Sequence, residues 1–223
     1  MKEVFDFLGE LKGNNNREWF ENHRGWYETA LSEMITFADE VLFELQKVDV
    51  LETPNGKKSL QRIYRDTRFS KDKTPYKMHW GGRFVRATKQ RRGGYYFHIQ
   101  PGNCFLAGGF WNPNAADLQL IREHLNVEGD RLLEITNNKA FKSVFNELKG
   151  EKLKTGPKGF EKDSPYADLL KYKQFLLVCP LKDSVFTSGK RISETARIFS
   201  EMRPFFDLMS EFLTTDTNGI ELV

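Results

Sequence analysis

Residues 94–111, GYYFHIQPGNCFLAGGFW, place two apolar, aromatic-rich runs on either side of a Pro-Gly pair. Pro101 and Gly102 suit the two central positions of a type II turn, because proline presets the first φ angle and glycine accepts the positive second one. The two runs are therefore predicted to form a β-hairpin, and the fold is predicted to contain an antiparallel sheet.

The two faces of this hairpin differ in chemistry. Counting outward from the turn pairs Phe97 with Leu106 on one face, which we predict to be core. The same count pairs His98 with Phe105 on the other face, where Tyr96 also lies. We expect this mixed second face either to be lightly covered by a helix or to line a cleft.

Periodicity extends the prediction in both directions from the hairpin. Further strands are predicted at residues 60–66, 80–87 and 175–178, where β-branched and aromatic residues lie between turn formers. Apolar residues recur every three or four positions in 16–48, which predicts one amphipathic helix or two in series, and again in 193–213.

The order of these elements predicts the architecture. We expect an α+β protein with an antiparallel sheet of about five strands, covered by long N- and C-terminal helices. The length suits a single domain over residues 1–223. Within it, 1–50 are predicted to be helical, 57–111 basic and rich in strands, and 114–223 mainly helical with one strand near 174–180.

Composition indicates a folded globular protein. Of its 223 residues, 39% are hydrophobic and 13% aromatic, enough apolar surface for a sizeable core. No apolar run approaches the length of a membrane span, and the first residues lack a secretory cleavage pattern, so we expect a cytoplasmic protein with no membrane partner. Cys104 and Cys179 lie in apolar surroundings, which predicts buried, reduced thiols.

Motifs for several chemistries are missing from the sequence. The four histidines show no HExxH or comparable spacing, and no EF-hand ladder of acids occurs. A GxSxG elbow, a Walker loop and a GxGxxG turn are also missing. The sequence therefore gives no motif for a metal or dinucleotide cofactor, and it leaves any catalytic residues unknown.

Charge is concentrated in one segment. Residues 57–92 carry thirteen Lys and Arg but only the two acids Asp66 and Asp72, a formal charge of +11 in a chain whose net charge is +3. The remainder of the chain must then carry −8. A compact basic surface of this kind is typical of a site for phosphate, carboxylate or nucleic-acid groups.

Four strings also indicate a family. They are NNNREWFENHRGWYE at 14–28, YRDTRFSKDKTPYK at 64–77, GGYYFHIQPGNCFLAGGFW at 93–111 and PKGFEKDSPYADLLKYKQF at 157–175. In order and spacing, the chain resembles the bacterial and fungal conserved hypothetical proteins catalogued as domain of unknown function 2461. The resemblance covers nearly the whole chain and implies a single α+β domain, without a substrate or catalytic residues.

The cations of 62–77 are the candidate ligand-binding groups, because arginine forks and lysine ammonium groups suit phosphate and carboxylate oxygens. The anion-binding candidates are Arg62, Arg65, Arg68, Lys71, Lys73 and Lys77. Acids elsewhere in the fold can instead neutralise the same charges, and the sequence leaves both arrangements open.

A second group of residues is predicted to line a cleft. An aromatic or imidazole ring beside arginines can stack on a base or move a proton, although each such residue also has an ordinary packing role. The cleft candidates are Asp66, Tyr76, Tyr96 and His98.

These observations support one leading function and two alternatives. We expect a cytoplasmic protein that binds a phosphorylated or other anionic small molecule or a nucleotide, with any reaction unassigned. The first alternative is a nucleic-acid-binding module, because aromatic residues alternate with the cations. The second is an interaction module whose basic face docks an acidic partner, including a second copy in a homodimer.

Overall fold

The computed structural model describes residues 1–87 and 89–222. Its strands are β1 (Trp80–Val85), β2 (Gly94–Ile99), β3 (Cys104–Phe110) and β4 (Phe175–Leu181). Within the described residues they form one antiparallel sheet in the order β1-β2-β3-β4. The predicted α+β class is confirmed.

Along the chain, helices precede the sheet, separate β3 from β4, and follow β4. Those before it are α1 (Lys2–Gly13), α2 (Arg17–Asn22), α3 (Arg24–Gln46) and α4 (Gly56–Ser59). Between β3 and β4 lie α5 (Ala115–Asn137), α6 (Lys139–Phe145) and α7 (Ala167–Leu170). After β4 follow α8 (Asp183–Thr187), α9 (Arg191–Ser200) and α10 (Arg203–Phe212). No helix in the described part of the chain is both long and apolar enough to cross a membrane.

The hairpin forms as predicted. The amide of Asn103 donates to the carbonyl of Gln100 at 2.8 Å, and Gly102 has a φ of 78°, as a type II turn requires. His98 of β2 lies against Phe105 of β3, with ring centroids 4.6 Å apart. The register counted from the turn is therefore confirmed on this face.

The predicted strand at 60–66 is not continuous. Single bridges join Leu60 to Gly82 and Tyr64 to Tyr76, so this segment pairs at two points and the sheet has four strands rather than about five. Pro75 gives the physical reason, because it accepts a hydrogen bond from the amide of Arg65 at 2.8 Å but has no N–H to return.

Residues 16–48 were predicted to form one helix or two in series, and they form two. The side chain of Asn16 accepts from the amide of Trp19 at 2.9 Å and begins α2. His23 then leaves the helical region with φ −113° and ψ 20°, and α3 starts after it.

The chain forms two compact units. Unit 1 comprises Met1–Phe84, Tyr96–Leu106 and Pro180–Arg197, and unit 2 comprises Val85–Tyr95, Ala107–Cys179 and Ile198–Val223. Every strand contributes residues to both units. The expectation of one domain over residues 1–223 stays a prediction.

The core of unit 1 forms where α3 packs on β2. Phe37 and Phe97 are both buried, and their rings meet edge to face at 5.4 Å. Phe84 and Phe186 complete the cluster, at 5.7 Å from Phe97 and 6.0 Å from Phe37 respectively. Burial of large aromatic side chains is the main stabilising term here. Cys104 is buried and free in this unit, as predicted.

The core of unit 2 forms where α10 packs on β2. Tyr95 meets Phe206 edge to face at 5.0 Å and Phe199 at 5.2 Å. Cys179 is also buried and forms no disulfide within the described residues, as predicted. Because side chains alternate along β2, Tyr96 and His98 lie on the face opposite to Tyr95 and Phe97.

Candidate functional site

Three rings stack across the mixed face of the sheet in unit 1. His79, which directly precedes β1, stacks on His98 of β2 with ring centroids 4.2 Å apart, and His98 stacks on Phe105 of β3. The rings therefore follow the order of the strands. We call these three residues together with Tyr96 the imidazole platform.

Tyr96 lies flat over β1. Its hydroxyl is 3.1 Å from Nδ1 of His98, and a Cβ placed on Gly81 would lie 2.6 Å from the same hydroxyl oxygen. Only glycine leaves room for the phenol at this point of β1. The tyrosine thus covers the strand backbone and closes one side of the platform.

The hydrogen-bond network assigns the tautomer of His98. Its Nε2 lies 3.0 Å from Oε1 of Gln100, an oxygen that only accepts, so Nε2 carries the proton. Nδ1 then accepts from the hydroxyl of Tyr96. Burial lowers the pKa of His98, while the bond to Gln100 opposes that shift, and burial raises the pKa of Tyr96. Both groups are therefore neutral at pH 7.

His79 is the last ring of the stack, at the end opposite to Phe105. The ring is half-buried and has no hydrogen-bond partner among the described residues. Its pKa is lowered to about 4. Burial is the largest cause, and electrostatic interaction with His98 and Lys77 contributes. A neutral imidazole at this position offers one donor and one acceptor nitrogen to a ligand.

Lys77 lies beside His79, and a second cation, Arg62, lies beside Lys77. The ammonium of Lys77 donates to the carbonyl of Arg62 at 2.8 Å and approaches Oε1 of Gln61 at 3.3 Å. Burial lowers the pKa of Lys77, and the charge of Arg62 lowers it further. Neither Lys77 nor Arg62 forms an ion pair with a carboxylate of the described chain, so two like charges face each other without a counter-ion.

A third cation shares the platform face. Arg83 of β1 is exposed and has no ion pair with any described acid. Because side chains alternate along a strand, Arg83 lies on the same face as Gly81 and therefore on the side of Tyr96. Sequence reasoning missed Arg83 and His79 as site residues. The alternation of side chains along β1, counted from Gly81, could have predicted the position of Arg83. The position of His79 could not be predicted in this way, because it depends on where β1 begins.

Residues 62–77 form a projecting hairpin, which we call the basic finger. Its arms are antiparallel, since the amide of Lys77 donates to the carbonyl of Ile63 at 2.7 Å and Tyr64 forms a bridge with Tyr76. The anion-binding candidates named from the sequence all lie on this finger. Arg62 and Lys77 are at its base, where the ammonium of Lys77 donates to the carbonyl of Arg62.

Arg65 connects residues within the finger through its guanidinium group. Its guanidinium contacts the carboxylate of Asp72 and the hydroxyl of Thr74, and Asp72 also accepts from the amide of Thr74 at 2.9 Å. These contacts lower the pKa of Asp72 to about 2. The hydrogen bond from the Thr74 amide is the largest cause, and the hydrogen bond from Arg65 is the next. Arg65 is thus paired within the finger, one of the two arrangements that the sequence left open.

Arg68 and Asp66 form a second pair at the surface of the finger. The guanidinium donates to the two carboxylate oxygens at 2.7 and 3.0 Å, and this pair lowers the pKa of Asp66. Both side chains are exposed. Solvent screens an exposed pair of this kind, so it contributes little to stability.

The remaining sequence candidates divide between the tip of the finger and the core. Lys71 is exposed and has no carboxylate partner among the described residues, whereas Lys73 donates to the carbonyl of Thr67 at 2.9 Å. Tyr76 is only 3% exposed and stacks on Phe20 at 4.0 Å, so it lies in the core of unit 1. None of the contacts of Asp66 or Tyr76 reaches the platform.

The structure therefore links four of the sequence candidates through a series of contacts. His98 stacks on His79 and binds the hydroxyl of Tyr96, while the charge of Lys77 acts on His79. Arg62 lies beside Lys77, whose ammonium donates to its carbonyl. Across the described residues, no group of three or more His, Cys, Asp or Glu side chains is arranged to hold a metal ion. The platform residues themselves offer stacking and hydrogen bonding, and Lys77 offers the attraction of negative charge.

Comparison with known proteins identifies the family. The chain matches no curated protein and no solved structure. Its residues 3–208 match the family described as conserved hypothetical protein, DUF2461. This match spans the finger, the platform and both units. The chain therefore belongs to the DUF2461 family of conserved hypothetical proteins, as the four strings indicated.

Proposed function

We propose that the protein binds a phosphorylated or otherwise anionic small molecule, such as a nucleotide, on the imidazole platform. The observation that carries the proposal is the state of His79. Its half-buried ring has two polar nitrogens, no protein partner among the described residues, and a cation, Lys77, beside it. Polar groups in such surroundings are satisfied by solvent or by a ligand.

Electrostatics favours an anion over a neutral ligand. Burial lowers the pKa of Lys77, and the charge of Arg62 beside it lowers this pKa further. An oxyanion placed between them would replace repulsion with two attractive, charge-assisted hydrogen bonds. Binding is therefore expected to raise the pKa of Lys77 towards its ordinary value.

The ring stack favours a ligand with a flat group. His98 is covered on both faces, by His79 and by Phe105. His79 has a covered inner face and forms the end of the stack, so a base or another planar group can extend it. A nucleotide combines a planar group with phosphate, which matches the platform and its two cations.

The location remains part of the proposal. Thiols stay reduced in reducing compartments, and the buried Cys104 and Cys179 form no disulfide within the described residues. This supports the proposal that the protein binds its ligand in the cytoplasm.

Calorimetric titration tests the proposed site. Inorganic phosphate, nucleoside monophosphates and sugar phosphates are titrated into the wild-type protein and into Lys77→Met. Loss of the ammonium is expected to weaken binding of the active probe about tenfold or more, since charged hydrogen bonds contribute roughly 1.5–3 kcal/mol.

Lys58→Met is the matched control. Lys58 is an exposed lysine on α4 without an ion pair among the described residues, so its replacement is expected to leave affinity unchanged. The proposal fails when no anionic probe binds the wild-type protein, or when Lys77→Met binds the probe as tightly as the wild type does.

A further inference from the structure

We propose that the physiological ligand is a single-stranded nucleic acid whose backbone follows the basic finger and whose base stacks on Phe69 at its tip. This inference rests on the proposed function, because it names the class of anion that the platform and the finger bind together. It goes beyond a mononucleotide by assigning a role to the tip of the finger.

Phe69 is the most exposed large apolar side chain among those described. Its exposed fraction is 96%, against 63% for Phe43, which lies on α3. The guanidinium of Arg68 lies 5.9 Å from the ring centroid, and the rest of the ring faces solvent. An aromatic ring held in water beside cations is a stacking platform for a base.

Hydrogen bonds within the finger order the backbone that carries this ring before any ligand arrives. Arg65 ties Asp72 and Thr74 together across the loop, and Lys73 fastens the chain to the carbonyl of Thr67 at 2.9 Å. The amide of Ser70 donates to the same carbonyl at 3.3 Å. A preorganised loop loses less conformational entropy on binding, so a single exposed ring can contribute to affinity.

Cations without carboxylate partners are spread along the finger. Within the described chain, Lys71 and Lys73 are near the tip, and Arg62 and Lys77 are at the base. The six peptide steps from Lys71 to Lys77 span up to about 20 Å of extended chain. One phosphate group cannot contact both ends over such a length, whereas a strand with a phosphate at every nucleotide can.

A second exposed ring lies at the base of the finger. Tyr64 is 52% exposed and leans against Tyr76 with ring centroids 5.4 Å apart. Tyr64 at the base and Phe69 at the tip thus alternate with the cations along one hairpin. This combination of stacking rings and a positive track is typical of sequence-tolerant binding to single strands.

Fluorescence anisotropy tests the inference. Labelled oligothymidylates of increasing length, starting from the mononucleotide, are titrated into the full-length protein at several salt concentrations. Affinity is expected to rise with length and to fall with added salt, because each neutralised phosphate releases counter-ions. Lys71→Gln is expected to reduce the slope of log affinity against log salt by about one.

Phe69→Ala is the decisive variant, and Phe43→Ala is its control. Loss of base stacking is expected to weaken oligonucleotide binding by about tenfold or more. Phe43 is an exposed phenylalanine away from the finger, on α3, so its replacement is expected to change nothing. Unfolding curves of both variants confirm that the fold is kept, since the two side chains are largely in water.

The outcomes separate this inference from the proposed function. Equal affinity for mononucleotide and oligonucleotide, or unchanged oligonucleotide binding by Phe69→Ala, overturns the inference and leaves the platform proposal standing. Failure of the wild type to bind phosphate, nucleotides and oligonucleotides overturns both. Binding of anionic vesicles, or self-association, that Phe69→Ala abolishes while oligonucleotides do not bind would assign the finger to a membrane or to a second copy and overturn the inference.

Discussion

The imidazole rings of His79 and His98 stack with their centroids 4.2 Å apart and an angle of 29° between the ring planes. Two protonated imidazoles would repel each other at this distance. The stack is therefore stable only while at least one ring is neutral, and burial favours the neutral form of both. The platform thus presents neutral rings near pH 7 and changes its charge only in acid.

The first prediction concerns the pH dependence of stability. His79 has a pKa of about 4 in the folded protein against 6.5 for the ordinary side chain. Between these values the unfolded chain binds a proton that the native protein does not, so the free energy of unfolding decreases as pH falls from 6.5 towards 4. Above pH 6.5 this contribution is complete.

Urea unfolding over this pH range measures the effect, and His79→Phe is the test variant. The phenylalanine keeps a ring in the stack but cannot titrate, so the decline below pH 6.5 is expected to be shallower. NMR titration of the His79 ring protons gives its pKa directly. A value at or above 6.5 would contradict this account of the stack.

The second prediction concerns Gly81 and the hydroxyl of Tyr96. A methyl group at position 81 would lie 2.6 Å from that oxygen, so Gly81→Ala is expected to displace the phenol and to cost about 1–3 kcal/mol of unfolding free energy. Tyr96→Phe removes the oxygen and the bond to His98, and its own cost is about 1 kcal/mol.

A double-mutant cycle links the two positions. In the Tyr96→Phe background Gly81→Ala is expected to cost at least about 0.5 kcal/mol less than in the wild type, since residues in contact do not behave additively. Chemical denaturation of the four proteins measures the coupling. Additive costs would mean that the hydroxyl does not lie over Gly81.

Local patterns were sufficient to predict the hairpin and its register. Pro101 and Gly102 specify a turn within four residues, and period-two alternation then pairs His98 with Phe105 without information from the rest of the chain. The α+β class followed from the order of elements. The segment 60–66 was predicted as a strand because its composition suits one, but Pro75 opposite to it interrupts the ladder.

The candidate site could be predicted only in part. The sequence located the cations, but it could not show that Arg65 is bound to Asp72 while Lys77 has no carboxylate partner among the described residues, because charge spacing is compatible with both. Stacking of His79 on His98 depends on contact between residues far apart in the chain. Such pairings are set by tertiary packing and leave no local signal.

The third prediction separates the two arginines of the finger. Arg65→Ala removes contacts to Asp72 and Thr74 from a side chain that is 25% exposed, so a loss of about 1–2 kcal/mol is expected. Arg68→Ala removes a pair with Asp66 that is exposed and screened by solvent, so its cost is expected to be smaller than that of Arg65→Ala.

Hydrogen exchange locates this effect. Amides of residues 65–77 are expected to exchange faster in Arg65→Ala and almost as in the wild type in Arg68→Ala, because only the first variant loses the contacts of Arg65 within the finger. Equal protection of the finger in both variants would show that Arg65 does not organise the loop and would make both arginines available to a ligand.

The fourth prediction tests the close approach of β3 and β4 in unit 2. Gly109 has a φ of 131°, and a Cβ at this position would lie 2.1 Å from the carbonyl oxygen of Phe175. Backbone atoms of a paired strand cannot rotate away as a side chain can. Gly109→Ala therefore combines a disfavoured backbone conformation with a steric clash, and a loss of at least about 2–3 kcal/mol is expected.

Gly156→Ala is the control for this substitution, because nothing lies within 4 Å of the added methyl group at that position. Its effect is expected to stay within about 0.5 kcal/mol. Thermal and urea unfolding of the two variants measure the difference. If Gly109→Ala unfolds like Gly156→Ala, the β3–β4 pairing must be able to separate without cost, and the sheet would then be held mainly by the helices that cover it.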